Sequence, residues 1–227
     1  MVKAVIFDFD GVISDSEPCH FAASNKALEQ FGIQLTKEQY YTDYLGFTDY
    51  ELFESVGEKF NTDFNKTQIE KLVEQKAIFF EQVIRQADHL IEGIPQLIQM
   101  LKNSGIKVGI YSGALQGDIE LMLEDSGFEN CFDVIVSADD VEKGKPDPEG
   151  YLKALGKINE ISNAQILPKE CVVIEDSHWG IVAAKKAGMR VIAVTNSYPA
   201  DELNDADLII DSVSELKIND LHRLCEK

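Results

Sequence analysis

The segment Lys3–Gly11 reads Lys-Ala-Val-Ile-Phe-Asp-Phe-Asp-Gly, an apolar run that ends in two acidic residues and a glycine. A continuous apolar run of this length predicts a strand that is buried on both faces of a parallel sheet. Asp8 and Asp10 are two residues apart, so their side chains point to the same side of the strand and two carboxylates are forced together. Gly11 lets the chain turn directly after them.

Five later apolar runs resemble this strand, and helical spacing lies between several of them. They are Val108–Tyr111, Val134–Val136, Val172–Ile174, Val191–Val194 and Leu208–Ile210. This alternation predicts an α/β fold, a Rossmann-like three-layer core with a parallel sheet that binds ligands at the carboxyl ends of its strands. The polar residues that end the strands are therefore the candidates for a site: Asp8, Asp10, Ser112, Asp139, Asp140, Glu175, Asp176 and Thr195.

A block of purely helical spacing separates the first strand from the others. Ser16-Glu17-Pro18 is typical of a helix start, and Thr36 with Gln39 forms a capping box. Turn signals lie near Gly32, Gly46 and Gly57. We therefore predict that residues 17–92 form an inserted all-helical cap domain, and that residues 1–16 and 93–227 form the catalytic core.

Composition excludes several classes of partner. The chain has 227 residues and a formal net charge of −19, which repels nucleic-acid phosphates and anionic lipid surfaces. No apolar run approaches the roughly 18 residues of a membrane span, and the four cysteines form no C-x-x-C pair. We expect a cytoplasmic monomer with reduced thiols and with no nucleic-acid or membrane partner.

Two acidic pairs in the sequence predict a metal site. Asp8 with Asp10, and Glu175 with Asp176, each follow a predicted strand, and clustered carboxylates need either a cation or a raised pKa. A site made only of oxygen ligands favours Mg²⁺ over zinc. Taken singly, each pair also fits an ordinary turn or helix cap; their place in one predicted sheet favours the metal.

Two further features fit the binding of a phosphoryl group. Lys145 lies in a proline-stiffened loop, Lys143-Gly144-Lys145-Pro146-Asp147-Pro148, which predicts a cation fixed close to the carboxylates. Ser112 and Gly113 offer a hydroxyl and free backbone N–H groups at a helix start, although an ordinary helix cap fits them as well. Together with the acids, these residues favour phosphoryl transfer through an aspartyl phosphate.

In their order along the chain, these motifs resemble the haloacid dehalogenase-like (HAD) superfamily of phosphotransferases. Asp8-Phe9-Asp10-Gly11-Val12 is similar to its first motif, Ser112 to its second, Lys145 to its third and Glu175-Asp176-Ser177 to its fourth. A helical insertion between the first and second motifs matches the members with a small helical cap. The segment Val173–Ile181 is similar to the branch that contains β-phosphoglucomutase and sugar-phosphate phosphatases.

The resemblance implies a role for each matched residue. Asp8 becomes the nucleophile and a Mg²⁺ ligand, and Asp10 becomes the general acid and base, with its backbone carbonyl on the metal. Asp176 is a further ligand, and Glu175 is a ligand or supports one. Ser112 and Lys145 bind the transferring phosphoryl group. Members that act as dehalogenases or cleave phosphonates lack an acid at the position of Asp10, so the resemblance argues against both activities.

Other residues are placed by the same resemblance or by their position in the chain. His20 and Lys76 occupy cap positions that face the substrate in β-phosphoglucomutase-like members; a hinge-packing histidine and a solvated lysine are the alternatives. We expect His178 and Trp179, in the first turn of a helix, to serve packing.

We therefore expect a Mg²⁺-dependent phosphatase that acts on a small phosphorylated metabolite, with a sugar phosphate as the favoured class. A β-phosphoglucomutase-like mutase is one alternative, although Gly46-Phe47-Thr48-Asp49 places a carboxylate where the mutase pattern has an arginine. A phospho-accepting signalling module is the other. It needs only about half this length and has no use for an inserted cap.

Overall fold

The computed structural model describes residues 1–45, 47–124, 126–128 and 130–226, and Gly46 of the cap motif lies outside them. The chain divides into two compact units, one formed by residues 1–15 with 89–227 and the other by residues 16–88. Residues 89–92 group with the first unit and not with the helical segment, because the Ile91 N–H donates to the Ile13 carbonyl at 2.9 Å.

The first unit is built on a six-stranded parallel sheet in the order β3-β2-β1-β4-β5-β6. The strands are β1 (Ala4–Phe7), β2 (Lys107–Tyr111), β3 (Val134–Val136), β4 (Cys171–Glu175), β5 (Arg190–Val194) and β6 (Leu208–Ile210). All six predicted strands are present, and the predicted fold class is confirmed. In the register, Ala4 pairs with Lys107 on one side and with Cys171 on the other, so β1 lies in the middle of the sheet.

Helices cover both faces of this sheet. They are α5 (Ile94–Asn103), α6 (Gln116–Leu123), α7 (Glu149–Ser162), α8 (His178–Lys186) and α9 (Ile218–Glu226). Helices α7 and α8 bury one face in a core cluster that includes Ala4, Ile6 and Val173, while α5 and α9 pack against β2 and β4. Burial on both faces is the reason why the strands read as continuous apolar runs and do not alternate.

The described residues of the second unit form helices joined by turns and loops, with no strand among them. Its helices are α1 (Glu17–Leu28), α2 (Lys37–Asp43), α3 (Asp49–Lys59) and α4 (Lys66–Ile84). Helices α2, α3 and α4 each begin with a complete capping box, at Thr36, Thr48 and Asn65 respectively. Each box satisfies backbone N–H groups that a helix start would otherwise leave unpaired. The sequence analysis identified the first of these boxes and missed the other two.

A turn lies near Gly57, as predicted, but it comes at Phe60 and Asn61, after the end of α3, and Gly57 itself lies in the last turn of that helix. A Cβ atom at Gly57 would lie 2.9 Å from the Phe64 ring, so the absence of a side chain at this position lets Phe64 pack closely against α3. Gly32, in contrast, ends a short helical turn with a left-handed φ of 68°, as a turn glycine does. In the described part of the chain, no helix combines the length and the apolar character needed to span a bilayer.

Candidate active site

Asp8 follows β1 directly, at the carboxyl end of the strand. Its backbone N–H donates to the Ile174 carbonyl at 2.9 Å, which continues the pairing of β1 with β4. Its Oδ1 accepts a hydrogen bond from the Phe9 N–H at 2.7 Å and lies 2.6 Å from the Lys145 Nζ. A backbone donor and an ammonium group therefore fix the orientation of this carboxylate.

Glu175, the last residue of β4, is completely buried and surrounded by donors. Its Oε1 accepts from the Lys145 Nζ at 2.6 Å and from the Tyr151 hydroxyl at 2.8 Å. Its Oε2 accepts from the backbone N–H groups of Asp176 and Ser177 at 3.0 Å each and from the Ser177 hydroxyl at 2.9 Å. Because a carboxylate offers about four acceptor positions, these five donors already fill it. Glu175 thus binds Lys145 directly, and its role as a metal ligand stays a prediction.

Two loops contact the carboxylate of Asp176, one after β5 and one after β1. Ser197, in the loop after β5, donates a short hydrogen bond to Asp176 Oδ2. A Cβ atom at Gly11 would lie 1.8 Å from the same oxygen, and Gly11 also has a left-handed φ of 74°. Only glycine therefore fits after the first acidic pair. No sequence motif pointed to Ser197.

Three buried carboxylates lie close together in this site, and Lys145 pairs with two of them, Asp8 and Glu175. Burial and the charge of Glu175 raise the pKa of Asp8 well above its usual value, although Lys145 acts in the opposite direction. Burial, followed by the charge of Glu175, raises the pKa of Asp176 to about 7. Burial also opposes the ionisation of Glu175, but Lys145 and the hydrogen bonds it receives hold its pKa below the usual value. The site thus carries more negative charge than Lys145 can neutralise.

The donor set fits a hard divalent cation. Carboxylate oxygens of Asp8, Glu175 and Asp176 lie within 4.8 Å of one another and form the acidic cluster found among the described residues. Because five donors already fill the Glu175 carboxylate, Asp8 and Asp176 are the members of this cluster that are left to hold a cation. Oxygen ligands suit Mg²⁺, and a cation would relieve the repulsion that raises the pKa values of Asp8 and Asp176. Asp10 was predicted to meet the metal through its backbone carbonyl; its carboxylate lies outside this group.

Ser112 and Gly113 follow β2, as predicted, but the start of the next helix differs from the prediction. Ser112 is buried, and its Oγ accepts a hydrogen bond from the Ala114 N–H at 3.0 Å. The first N–H of α6, that of Gln116, donates to the Asp139 Oδ2 at 2.9 Å. The expectation of free N–H groups at this helix start is therefore wrong for Gln116, because Asp139 caps it.

Two other strand-end candidates make local contacts. Asp140 pairs with Lys157 at 3.1 Å, and Thr195 donates to Asp211 at 3.0 Å. Both contacts join neighbouring elements of the same unit.

One cavity of about 620 Å³ gathers most of the predicted residues. It is lined by Asp8, Asp10, Ser112, Gly113, Lys145 and Asp176, which follow three different strands or belong to the loop before α7. Glu175 lies buried beside it. The wall also includes Trp179, which packs against the His178 ring at 4.3 Å, in line with the expected packing, but is 54% exposed.

The two predicted cap residues contact each other within the helical unit. The Nζ of Lys76 lies 2.8 Å from the His20 Nδ1 and 2.6 Å from the Asp49 Oδ1. Lys76 is 5% exposed, so the alternative of a solvated lysine is wrong. The His20 ring stacks on Phe80 at 4.1 Å, and burial together with Lys76 lowers the pKa of His20 to about 3. The neutral His20 therefore accepts a hydrogen bond from the Lys76 Nζ and does not add a positive charge.

Two tyrosines that the sequence analysis did not single out pack around Lys145. Its Nζ lies 5.2 Å from the ring centroid of Tyr111 and 5.7 Å from that of Tyr151, and the rings meet edge to face at 4.8 Å. The Tyr151 hydroxyl binds Glu175, whereas the buried Tyr111 hydroxyl has no hydrogen-bond partner in the described part of the chain. Tyr111 and Tyr151 therefore place similar rings beside Lys145, but of their two hydroxyls only that of Tyr151 has a hydrogen-bond partner among the described residues.

Comparison with known proteins places the chain among phosphate-transferring enzymes. A family model described as haloacid dehalogenase-like hydrolase matches residues 5–194. The chain is 31% identical to a phosphorylated carbohydrates phosphatase of Thermotoga maritima, covering 93% of this chain and 91% of that protein. It is also 31% identical to the β-phosphoglucomutase of Bacillus subtilis, covering 100% and 96%. The crystal structure of a Clostridium difficile β-phosphoglucomutase superposes with a TM-score of 0.77 at 26% identity, covering 100% of this chain and 98% of that one.

The hydroxyl of Tyr151 should stabilise the fold measurably. We expect Tyr151→Phe to lower the free energy of unfolding by about 1.5–3 kcal/mol, because it removes a hydrogen bond to a charged, buried acceptor. Tyr111→Phe is the matched control and should be neutral, since its hydroxyl lacks a partner among the described residues. Urea denaturation measures both. Equal losses in the two variants would contradict the assigned hydrogen bond.

Metal binding should depend on pH in a direction set by Asp176. Burial and Glu175 raise its folded-state pKa from the ordinary value of 3.8 to about 7, so its contribution to the stability of the metal-free protein falls as pH rises between these values. Mg²⁺ competes with the proton, so it should raise the melting temperature more at pH 8 than at pH 5.

Differential scanning fluorimetry with and without Mg²⁺ measures this difference. In Asp176→Asn, most of the Mg²⁺-dependent gain should be lost at both pH values. A gain in the parent protein that is the same at pH 5 and pH 8 would count against the site.

Proposed function

This chain belongs to the haloacid dehalogenase-like hydrolase family, and on that premise we propose that it is a Mg²⁺-dependent phosphatase acting on a small phosphorylated metabolite through an aspartyl phosphate. The observation that carries the proposal is the carboxylate of Asp8, fixed at the end of β1 by Lys145 and lining the cavity. A carboxylate nucleophile needs no base to activate it once it is ionised.

In the first half of the proposed reaction, an oxygen of Asp8 attacks the phosphorus of the ester. The bond from phosphorus to the alcohol oxygen breaks, and Asp10 gives its proton to that oxygen. Lys145 balances the negative charge of the phosphoryl oxygens, and the Ser112 hydroxyl donates a hydrogen bond to one of them. Glu175 holds Lys145 in place from the opposite side.

In the second half, a water molecule attacks the phosphorus of the aspartyl phosphate while Asp10 takes up its proton. This step releases inorganic phosphate and restores Asp8. When bound by Asp8, Asp176 and the Asp10 carbonyl, Mg²⁺ supplies positive charge that keeps these carboxylates ionised and neutralises phosphoryl oxygens. The assignment of Asp10 as acid and base is carried over from the family's first motif.

The substrate we propose is a sugar phosphate. The relatives named above act on phosphorylated carbohydrates or on phosphoglucose, which supports this class without choosing between hydrolysis and isomerisation. We also propose that residues 17–92 act as a cap domain and that the enzyme is a cytoplasmic monomer.

Hydrolysis is favoured over a mutase reaction by the charges of the helical unit. A mutase must hold a second phosphate, and arginine is the residue best suited to that task. Asp49 stands where the mutase pattern has arginine, and its carboxylate lies 2.6 Å from Lys76, the predicted cap cation. Asp49 therefore neutralises the cation that could bind a second phosphate. With β-glucose 1-phosphate and a catalytic amount of the bisphosphate, we expect phosphate release to exceed formation of glucose 6-phosphate.

A phospho-accepting signalling module would use similar acids and a lysine, but it would keep its phosphoryl group and release no alcohol. The family match and the enzymatic relatives favour turnover. Continuous release of inorganic phosphate over many enzyme equivalents distinguishes the two.

Substitution of the two motif aspartates tests the proposed division of roles. Asp8→Asn should abolish hydrolysis of every phosphomonoester, because the amide is a poor nucleophile. Asp10→Asn should reduce hydrolysis of an alkyl phosphate by roughly 10²–10⁴-fold, the usual range for loss of a general acid. It should affect p-nitrophenyl phosphate far less, since nitrophenolate leaves without a proton.

Phosphate release with Mg²⁺ measures both variants, and circular dichroism checks that they fold. Parent-like activity of Asp8→Asn would overturn the proposed nucleophile. Equal losses of Asp10→Asn on the two substrates would overturn the acid role.

A further inference from the structure

Trp179 is the largest apolar side chain in the wall of the active-site cavity. It lies in the first turn of α8, two residues after Ser177, and its side chain is 54% exposed. The functional residues that share the cavity are carboxylates, Lys145 and Ser112. A single exposed apolar residue needs no explanation elsewhere on a surface, but an exposed aromatic ring beside reactive carboxylates is typical of a ligand site.

Neighbouring aromatic rings hold the Trp179 side chain in its orientation. Its ring contacts that of His178 at a centroid distance of 4.3 Å, and His178 meets the edge of Tyr198 at 5.2 Å. Tyr198 in turn packs against the core of the first unit. At the start of α8, the Ser177 Oγ accepts a hydrogen bond from the Gly180 N–H at 3.2 Å, which caps the helix that carries the ring. The indole is therefore presented on a rigid support.

The cavity offers different surroundings to the two parts of a phosphate ester, the phosphoryl group and the organic part. The phosphoryl group of a bound ester is drawn to Lys145, so the organic part extends into the rest of the cavity, where Trp179 offers a flat apolar face. A sugar ring has a complementary face of C–H groups held in one plane. An open-chain polyol has the same polar groups but no fixed apolar face, and it would lose conformational freedom on packing there.

We propose that Trp179 is a specificity-determining residue that packs its indole ring against the C–H face of a cyclic sugar phosphate and so favours ring-form substrates over open-chain ones. This inference rests on the proposed phosphatase function and names the class of substrate within it.

Glucose 6-phosphate and sorbitol 6-phosphate form a matched pair of substrates, because both carry six carbons and one phosphate while only the first closes a ring. In Trp179→Ala we expect kcat/KM for glucose 6-phosphate to fall about three- to ten-fold, the range of an aromatic packing contact. The value for sorbitol 6-phosphate should change less than two-fold, and Trp179→Phe should retain most of the preference.

Two controls separate this inference from the proposed function. Acetyl phosphate has no ring, so its hydrolysis should be unaffected by Trp179→Ala but lost in Asp8→Asn; if Asp8→Asn still hydrolyses it, the proposed function fails. Leu152→Ala removes another exposed apolar side chain, 44% exposed on α7, and should leave kcat/KM for glucose 6-phosphate and for sorbitol 6-phosphate unchanged. Three outcomes of the comparison would overturn the role of Trp179: equal losses of Trp179→Ala on glucose 6-phosphate and sorbitol 6-phosphate, no loss on either, or a parent enzyme that turns over acetyl phosphate but neither of these two substrates.

Fluorescence gives a readout that does not depend on turnover, because Trp179 is the sole tryptophan of the chain. In the Asp8→Asn variant with Mg²⁺, titration with glucose 6-phosphate should shift or quench the tryptophan emission. Sorbitol 6-phosphate and inorganic phosphate should cause a smaller change at equal occupancy, with occupancy measured by calorimetry. Identical responses to the three ligands would contradict contact between the indole and a sugar ring.

Discussion

The ammonium group of Lys145 lies 2.6 Å from carboxylate oxygens of both Asp8 and Glu175, and the rest of the site depends on this shared contact. Buried carboxylates are costly unless they are paired and hydrogen-bonded. Lys145 pairs with two of them, while Asp176 keeps a pKa raised to about 7. The remaining negative charge explains why a divalent cation fits the site and why protons and the cation should compete for it.

The position of β1 in the middle of the sheet brings these groups together. With β2 on one side and β4 on the other, the carboxyl end of β1 lies beside both Ser112 and Glu175. The backbone must also approach the carboxylates closely. A Cβ atom at Gly180 would lie 1.6 Å from the Glu175 Oε1, so α8 can pack over this carboxylate only because position 180 has no side chain. The strand order and the glycine thus together allow the carboxylates and the backbone around them to lie close to one another.

The sequence predicts the sheet and the acidic residues because both are local features. An apolar run identifies a buried strand, and the polar residue that follows it marks the edge where ligands bind. Contacts between distant side chains are harder to predict, since they depend on how separate elements pack. Tyr151 reaches Glu175 across 24 positions and Lys76 meets Asp49 across 27, and no motif contains either pair. Asp139 was predicted as a site residue because it follows β3, whereas its contact with the Gln116 N–H joins positions 23 apart and leaves no local pattern.

The most direct test of the account is the identity of the residue that carries the phosphoryl group. Enzyme mixed with substrate and Mg²⁺ can be quenched in acid within milliseconds, digested and analysed by mass spectrometry, with reduction by borohydride to mark an acyl phosphate. The account predicts one phosphorylated peptide, containing Asp8 and absent after longer incubation when the substrate is exhausted. Phosphorylation of a different residue, or turnover with no acyl phosphate at any quench time, would contradict it.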